Sequence, residues 1–136
     1  MFPASTKAGG MCVGFPDVCL TPAPPSPSPI PIPYPNMGQC SNANDAIDKV
    51  KIKNKAVLVE KSKIPSSSGD EAGTSGGVTS GSNRDEIGYK KSSSKVYAKG
   101  KKMVMLTSMT GHNGSSANFP AGMQVSPSQT SVLIAD

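Results

Sequence analysis

Tryptophan is absent from this 136-residue chain, aromatic residues make up only 4% of it, and it holds one histidine, His112, and one arginine, Arg84. So few rings exclude a core built on aromatic packing and remove the stacking series that single-stranded nucleic acid needs. Hydrophobic residues reach only 35%, so a folded domain of this size wants help from a metal, a crosslink or a partner surface. No stretch approaches the roughly 20 apolar residues of a membrane span, which argues against stable membrane insertion. The opening MFPASTKAGGMC has one lysine and no apolar core segment, so it does not read as a signal peptide. The chain is therefore expected to be cytoplasmic when made.

The chemistry of most enzymes is missing as well. There is no phosphate-cradling glycine loop ending in Lys-Ser or Lys-Thr, and no His-Glu-x-x-His. His112 lies in GHNG with no acid placed to orient it as a base. Asp70-Glu71 and Asp85-Glu86 fall in polar stretches, the usual place for solvated charge. No catalytic activity is expected.

What the chain does have is proline and glycine, 13 and 14 residues. Nine of the prolines lie within residues 12–36, CVGFPDVCLTPAPPSPSPIPIPYPN. Proline fixes φ and donates no backbone hydrogen bond, so this run can be neither helix nor central strand. It reads as an extended strap paired along one edge, with Ile30, Ile32 and Tyr34 alternating with prolines and turned to the body. A free proline-rich linker or groove ligand is the other reading. The net charge of +5 is concentrated in residues 41–102, which hold 13 Lys or Arg against 7 acids. With one arginine and no helical recognition pattern, this band points to solvated strand faces rather than to nucleic acid.

Along the chain, residues 41–48 read as a turn or one short helical turn, and residues 49–60 as a hairpin turning near Asn54-Lys55. Residues 62–83, SKIPSSSGDEAGTSGGVTSGSN, are a flexible linker by composition. Residues 94–108 repeat the hairpin, turning at Gly100 and returning over 103–106. Residues 107–122 form another loop, and residues 131–134 a last short strand. The two hairpins share K-V-x-[IA]-K-[NG]-K, a weak internal repeat. No helix of more than about two turns is supported, so the expected class is all-β in a single domain over 1–136.

Cys12, Cys19, Cys40 and His112 are every cysteine and histidine present. Four N/S donors suffice for a closed, structural tetrahedral zinc site, with iron as the other metal to consider. The spacings are not those of a zinc knuckle. Gly14 and Pro16 predict that VGFPDV turns and brings Cys12 and Cys19 together. A Cys12–Cys19 disulfide across that turn, and buried free thiols with an exposed loop histidine, stay open as alternatives.

The runs GGMCVGFPDVCLTPAP and PIPYPN, with SKIPSSSGDEAG, GGVTSG, SSKVYAKGKKMVMLTSMTGHNG and PAGMQVSPSQTSVLI in the same order, resemble the PAAR-like proteins of bacterial type VI secretion systems. The resemblance implies a small conical β domain, with short strands and hairpins around a pseudo-threefold axis and long ordered loops, in which residues 62–83 wrap the cone. It implies a structural role at the tip of the trimeric VgrG spike, one copy per trimer, with effector proteins as further partners and export on secretion. It also implies a metal near the apex held by His and Cys, and no fused effector domain is expected. The alternative is a proline-rich or basic adaptor that binds another protein without a spike role.

Overall fold

The computed structural model describes residues 2–25 and 27–135; Met1, Ser26, inside the strap, and Asp136 lie outside the described residues. The first strands are β1 (Phe2–Pro3), β2 (Met11–Thr21) and β3 (Ile30–Gln39). A 3-10 turn at Cys40–Asn42 leads into a hairpin of β4 (Ile47–Ile52) and β5 (Lys55–Val57). A long loop separates β6 (Lys63–Ile64) from β7 (Ile87–Tyr89), and a second hairpin pairs β8 (Tyr97–Ala98) with β9 (Lys101–Lys102). The remaining strands are β10 (Met109–His112), β11 (Phe119–Ser126) and β12 (Leu133–Ile134). The fold is all-β, and no described helix is long and apolar enough to cross a membrane.

The prolines set one edge of the main sheet, whose order is β3-β2-β11-β10-β7-β6. In a strand, alternate residues turn both backbone polar groups to the same side. Pro31, Pro33 and Pro35 occupy the odd positions, and β3 pairs with β2 from Thr21↔Ile30 down to Met11↔Gln39. The prolines can only be the residues that face away from β2, where no donor is needed. Met37, the next odd position and not a proline, uses its outward groups to exchange hydrogen bonds with Ser68 at 2.8 and 2.9 Å. The strap is thus an ordered edge strand. Its inward face is less apolar than its alternation suggests: Ile30 is exposed, Ile32 and Tyr34 are half-buried, and Asn36 and Gly38 are buried.

VGFPDV is not the turn expected from its glycine and proline. It is a bulge within β2, where Phe15 and Pro16 stand opposite the single residue Pro35. The extra residue flips the side-chain parity of the strand. Cys12 and Gly14 are buried before it, and Asp17 and Cys19 after it, so even and odd positions share one face. Beyond the bulge β11 no longer flanks β2, and residues 75–78 take its place. Leu20 donates to Gly76 O and accepts from Ser75, and Val78 donates to Val18 O. Residues 62–83 are therefore an ordered wrap, not a flexible linker.

A second constraint lies in three short segments far apart in sequence. Ser5 donates its backbone N–H to Val104 O at 2.9 Å, Val104 to Leu58 O at 3.1 Å, and Leu58 to Ser5 O at 3.0 Å. Two residues further on, Lys7 donates to Ala56 O, Glu60 to Lys102 O and Leu106 to Pro3 O. Each segment thus meets both others by the same pattern, which is a pseudo-threefold axis. Each also continues into a two-stranded ladder: β1 with β12, β5 with β4, and β9 with β8. In these ladders Pro3↔Leu133, Ala56↔Lys51 and Lys102↔Tyr97 are equivalent pairs. The hairpins turn at Lys53-Asn54 and Lys99-Gly100, all four with φ between 49° and 77°, as two-residue primed turns require. The second hairpin returns only over Lys101–Lys102; residues 103–105 leave it to join the axis, where Met103 bridges Val59 and Met105 bridges Ala4.

The axis separates two small cores. Leu58 and Val104 join Cys12, Cys40, Ala43, Ile64, Ile87 and Tyr89 on the side of the main sheet. The flanking residues Ala4, Val57, Val59, Met103 and Met105 join Ala98 and Ile134 on the side of the ladders. Leu58 is fully buried at the axis, so Leu58→Ala is expected to cost about 2–5 kcal/mol in chemical unfolding. Ile32→Asp on the half-buried strap should cost less; an equal or larger loss there would show the strap packed more tightly than described.

Candidate functional site

The four donors singled out by composition sit at successive levels along β2. Cys12 and Cys19 are seven residues apart on an extended strand, about 20 Å, so no ion and no disulfide joins them; all three cysteines are free thiols. The strap does fold back as a metal site at Cys12 would need, and Cys40 returns beside Cys12, its N–H bonded to Gly10 O. Both sulfurs approach the Tyr89 hydroxyl, at 3.8 Å from Cys12 and 3.3 Å from Cys40. The neighbouring Cys40 thiol, and then burial, hold the Cys12 proton on well above the usual thiol range. The Cys12 thiol, against the opposing effect of burial, pulls Cys40 down to about 7. Tyr89 is pushed up by its burial and then by the two sulfurs.

His112 occupies the next level. It is not on an exposed loop: it ends β10, fully buried, and its ring fills the space left by two glycines. A Cβ on Gly14 would lie 2.7 Å from the ring, and one on Gly122 would lie 2.3 Å from Nε2 and 2.8 Å from Val13 O. Nδ1 lies 2.8 Å from Asn36 Oδ1, and Nε2 lies 2.8 Å from Thr110 Oγ1. Asn36 turns its NH2 toward carboxylates, so its oxygen accepts from Nδ1–H and Nε2 accepts from the threonine. Both ring nitrogens are committed, and burial lowers the pKa to about 4.

Cys19 lies at the level beyond the bulge, with partners that composition did not single out. Its sulfur is 3.6 Å from Asp17 Oδ1 and 3.9 Å from Asp70 Oδ2. Asp17, Cys19 and Asp70 are each fully buried. They are the one group of three or more His, Cys, Asp or Glu donors lying within 4.8 Å of one another among the described residues. Three asparagines surround them. Asn36 donates to Asp17 Oδ2 and Asp70 Oδ2, both at 3.3 Å, and to Ser67. Asn113 donates to Asp17 Oδ1 at 3.2 Å and Cys19 Sγ at 3.5 Å. Asn118 donates to Asp17 Oδ1 and Val18 O. Burial, then the two carboxylates, push the Cys19 thiol up to about 12; burial, then Asp17, push Asp70 up to about 7.

The reading of Asp70 as solvated loop charge is therefore overturned, whereas its neighbour Glu71 is exposed. Three polar residues of this level, Asp17, Asn36 and Asp70, stand in PDVC, PYPN and GDEAG, three of the runs that carry the family resemblance. Those runs are the available signal, but an acid in a Gly/Ser-rich stretch ordinarily faces water.

The family model for the toxin PAAR-like domain matches residues 10–120, about four-fifths of the chain. The chain belongs to the PAAR-like family. No curated protein and no solved structure matches it. PAAR-like domains form a structural spike-tip family rather than an enzyme family. All three levels of β2 in this PAAR-like domain lie inside the matched range, whereas β1 and β12, one of the three ladders, lie outside it.

Two measurements check the buried polar levels. His112 should titrate by NMR near pH 4 rather than at the usual 6.5. Because its folded pKa lies below its free value, its contribution to stability is complete above about pH 6.5 and is lost as pH falls toward 4. The stability difference between the native chain and His112→Gln should narrow over that window; a histidine titrating near 6.5 would contradict the buried neutral ring. Gly122→Ala should destabilise by about 1–3 kcal/mol, because the backbone carbonyl of Val13 blocks the added methyl.

Proposed function

We propose that this PAAR-like chain is a structural tip protein that caps the trimeric VgrG spike of a type VI secretion apparatus, one copy per trimer. The observation that carries this reading is the cyclic hydrogen-bonding of Ser5, Val104 and Leu58, with its three equivalent ladders. A single chain that must seat on three identical subunit ends meets a symmetry mismatch. Three quasi-equivalent elements around one axis remove it, one element to each subunit.

The ladders also supply what such a seat needs. Each is only two strands wide, so its outer strand has unpaired backbone groups for a partner strand. Exposed apolar side chains, Phe2 and Leu133 on one ladder and Tyr97 on another, lie on these strands. Lysines rim the two hairpins at 49, 51, 53, 55, 99, 101 and 102, so the subunit ends they meet should carry acidic groups. The opposite end, with the β2–β3 hairpin and the wrapped loop, would form the point that helps breach an envelope and would follow the spike out of the cell. Effector attachment would use surfaces outside the ladders. An adaptor offering a free proline-rich ligand is less well supported, since β3 is paired with β2 along its length.

Co-purification with a tagged trimeric VgrG, followed by native mass spectrometry, tests the seat. One copy per trimer is expected. Leu133→Asp with Tyr97→Asp, both exposed, should abolish the complex while leaving the melting temperature of the free chain within a few degrees. Three copies per trimer, or a complex indifferent to both changes, would refute the reading.

A further inference from the structure

The run Gly-x-Cys occurs twice in this chain, as Gly10-Met11-Cys12 and as Gly38-Gln39-Cys40. The β2–β3 ladder lays the two runs side by side in opposite directions. Cys12 stands opposite Gly38 and Met11 opposite Gln39, and one pair further on Cys40 donates its N–H to Gly10 O at 3.0 Å. Each cysteine is therefore crossed with a glycine. Cys12, Gly38 and Cys40 are all turned to the buried face. Neither cysteine meets a side chain directly across the ladder, so the side chain on its diagonal is the other cysteine.

Both glycines are needed for this crossing. A Cβ on Gly38 would lie 2.5 Å from Ile87 Cδ1, and one on Gly10, where φ is +96°, would lie 2.8 Å from Ser126 O. From the other side β7 closes the pair with a single group, the Tyr89 hydroxyl, 3.8 Å from Cys12 Sγ and 3.3 Å from Cys40 Sγ. Both thiols are free and fully buried. Cys19, further along β2 beyond the bulge, is out of their reach.

We propose that Cys12 and Cys40 are a site of thiol–disulfide exchange, oxidised by a small-molecule disulfide to one internal bond that staples the base of the β2–β3 hairpin. The Cys40 thiolate attacks one sulfur of the oxidant, forming a mixed disulfide as one small thiol leaves. Cys40 goes first because Gln39 and Asn42, close to it in the chain, line an open cavity of about 350 Å³ beside β3. The Cys12 thiolate then attacks the Cys40 sulfur, forming the internal disulfide and releasing the second small thiol. Two electrons pass from the protein sulfurs to the oxidant, and the two thiol protons end on the released thiols. The Tyr89 hydroxyl is placed to donate a hydrogen bond to either thiolate as it forms.

The bond matters because the strap is the element least able to hold itself. Pro31, Pro33 and Pro35 deny it donors on its outer side, and a disulfide closes residues 12–40 into one loop, which restricts the unfolded chain. In a reducing cytoplasm the pair stays as thiols, and it closes where the surroundings oxidise. None of this needs a spike partner, so its test is independent of the seating test above.

The experiment uses the whole chain, purified under reduction and then held with glutathione disulfide. Its intact mass should fall by two hydrogen atoms with no glutathione retained. Non-reducing peptide mapping should join Cys12 to Cys40, while Cys19 remains open to alkylation after unfolding. The oxidised chain should melt about 5–10 °C above the reduced one, and dithiothreitol should reverse both changes. Cys12→Ser should form no internal bond and instead retain one glutathione on Cys40, the mixed disulfide left without a resolving thiol. A disulfide to Cys19, glutathione retained by the unmodified chain in place of an internal bond, or an oxidised form that melts no higher would overturn the proposal. So would thiols that all stay free even when the chain is treated a few degrees below its melting midpoint, where buried groups open transiently. These readouts come from the unmodified protein, so they stand even if Cys12→Ser fails to fold.

Discussion

Three backbone hydrogen bonds, Ser5 to Val104, Val104 to Leu58 and Leu58 to Ser5, close a ring between segments separated by about fifty residues each. The whole domain is arranged about them. A chain so poor in large apolar side chains cannot rely on one broad core. It instead places two small cores back to back across the ring, one under the main sheet and one inside the ladders. The alternation of side chains along each segment makes this possible: central residues face one core and their flanking residues the other. The proposed seat for a threefold partner rests on the same ring, because equivalence of the three segments propagates outward into the ladders.

Away from the axis, cohesion is largely polar. Asn36, Asn113 and Asn118 do what apolar packing does elsewhere, tying strand β2, the wrapped loop and the β10–β11 connection through amide hydrogen bonds. A buried network of this kind is costly if any member is unpaired and rigid if all are paired. Such rigidity would suit the proposed role at a spike tip, since deforming it means breaking many directional bonds together. The unpartnered Asp70 Oδ1 is the exception.

The bulge at Phe15-Pro16 ties the two themes together. Without it, strand parity would bury Cys12 and expose Asp17 and Cys19. One added residue brings all of them to the inner face, so a single strand serves a thiol pair, a histidine level and a carboxylate–thiol level in turn. Glycines at 14 and 122 make room for the histidine between the other two levels.

Local covalent constraints were legible in the sequence by itself. Prolines at every second position can only border an edge, and the two lysine-flanked turns closed as hairpins because their strands alternate on either side. Family membership, too, was carried by contiguous runs of residues. The composition of residues 62–83 pointed the wrong way, since glycine and serine permit disorder without requiring it, and here hydrogen bonds from β2 and β3 decided the matter. Only the tertiary structure decided which donors meet. Cys19 and Asp70 are 51 positions apart and Asp17 and Asn113 are 96 apart, and nothing local distinguishes a buried aspartate from a solvated one. The closing strand over 131–134 was legible as a strand, but its partner β1 was hidden, because the ladder pairs residues from opposite ends of the chain. Periodicity and turn chemistry act over a few bonds, whereas burial and charge neutralisation depend on whatever the fold brings alongside.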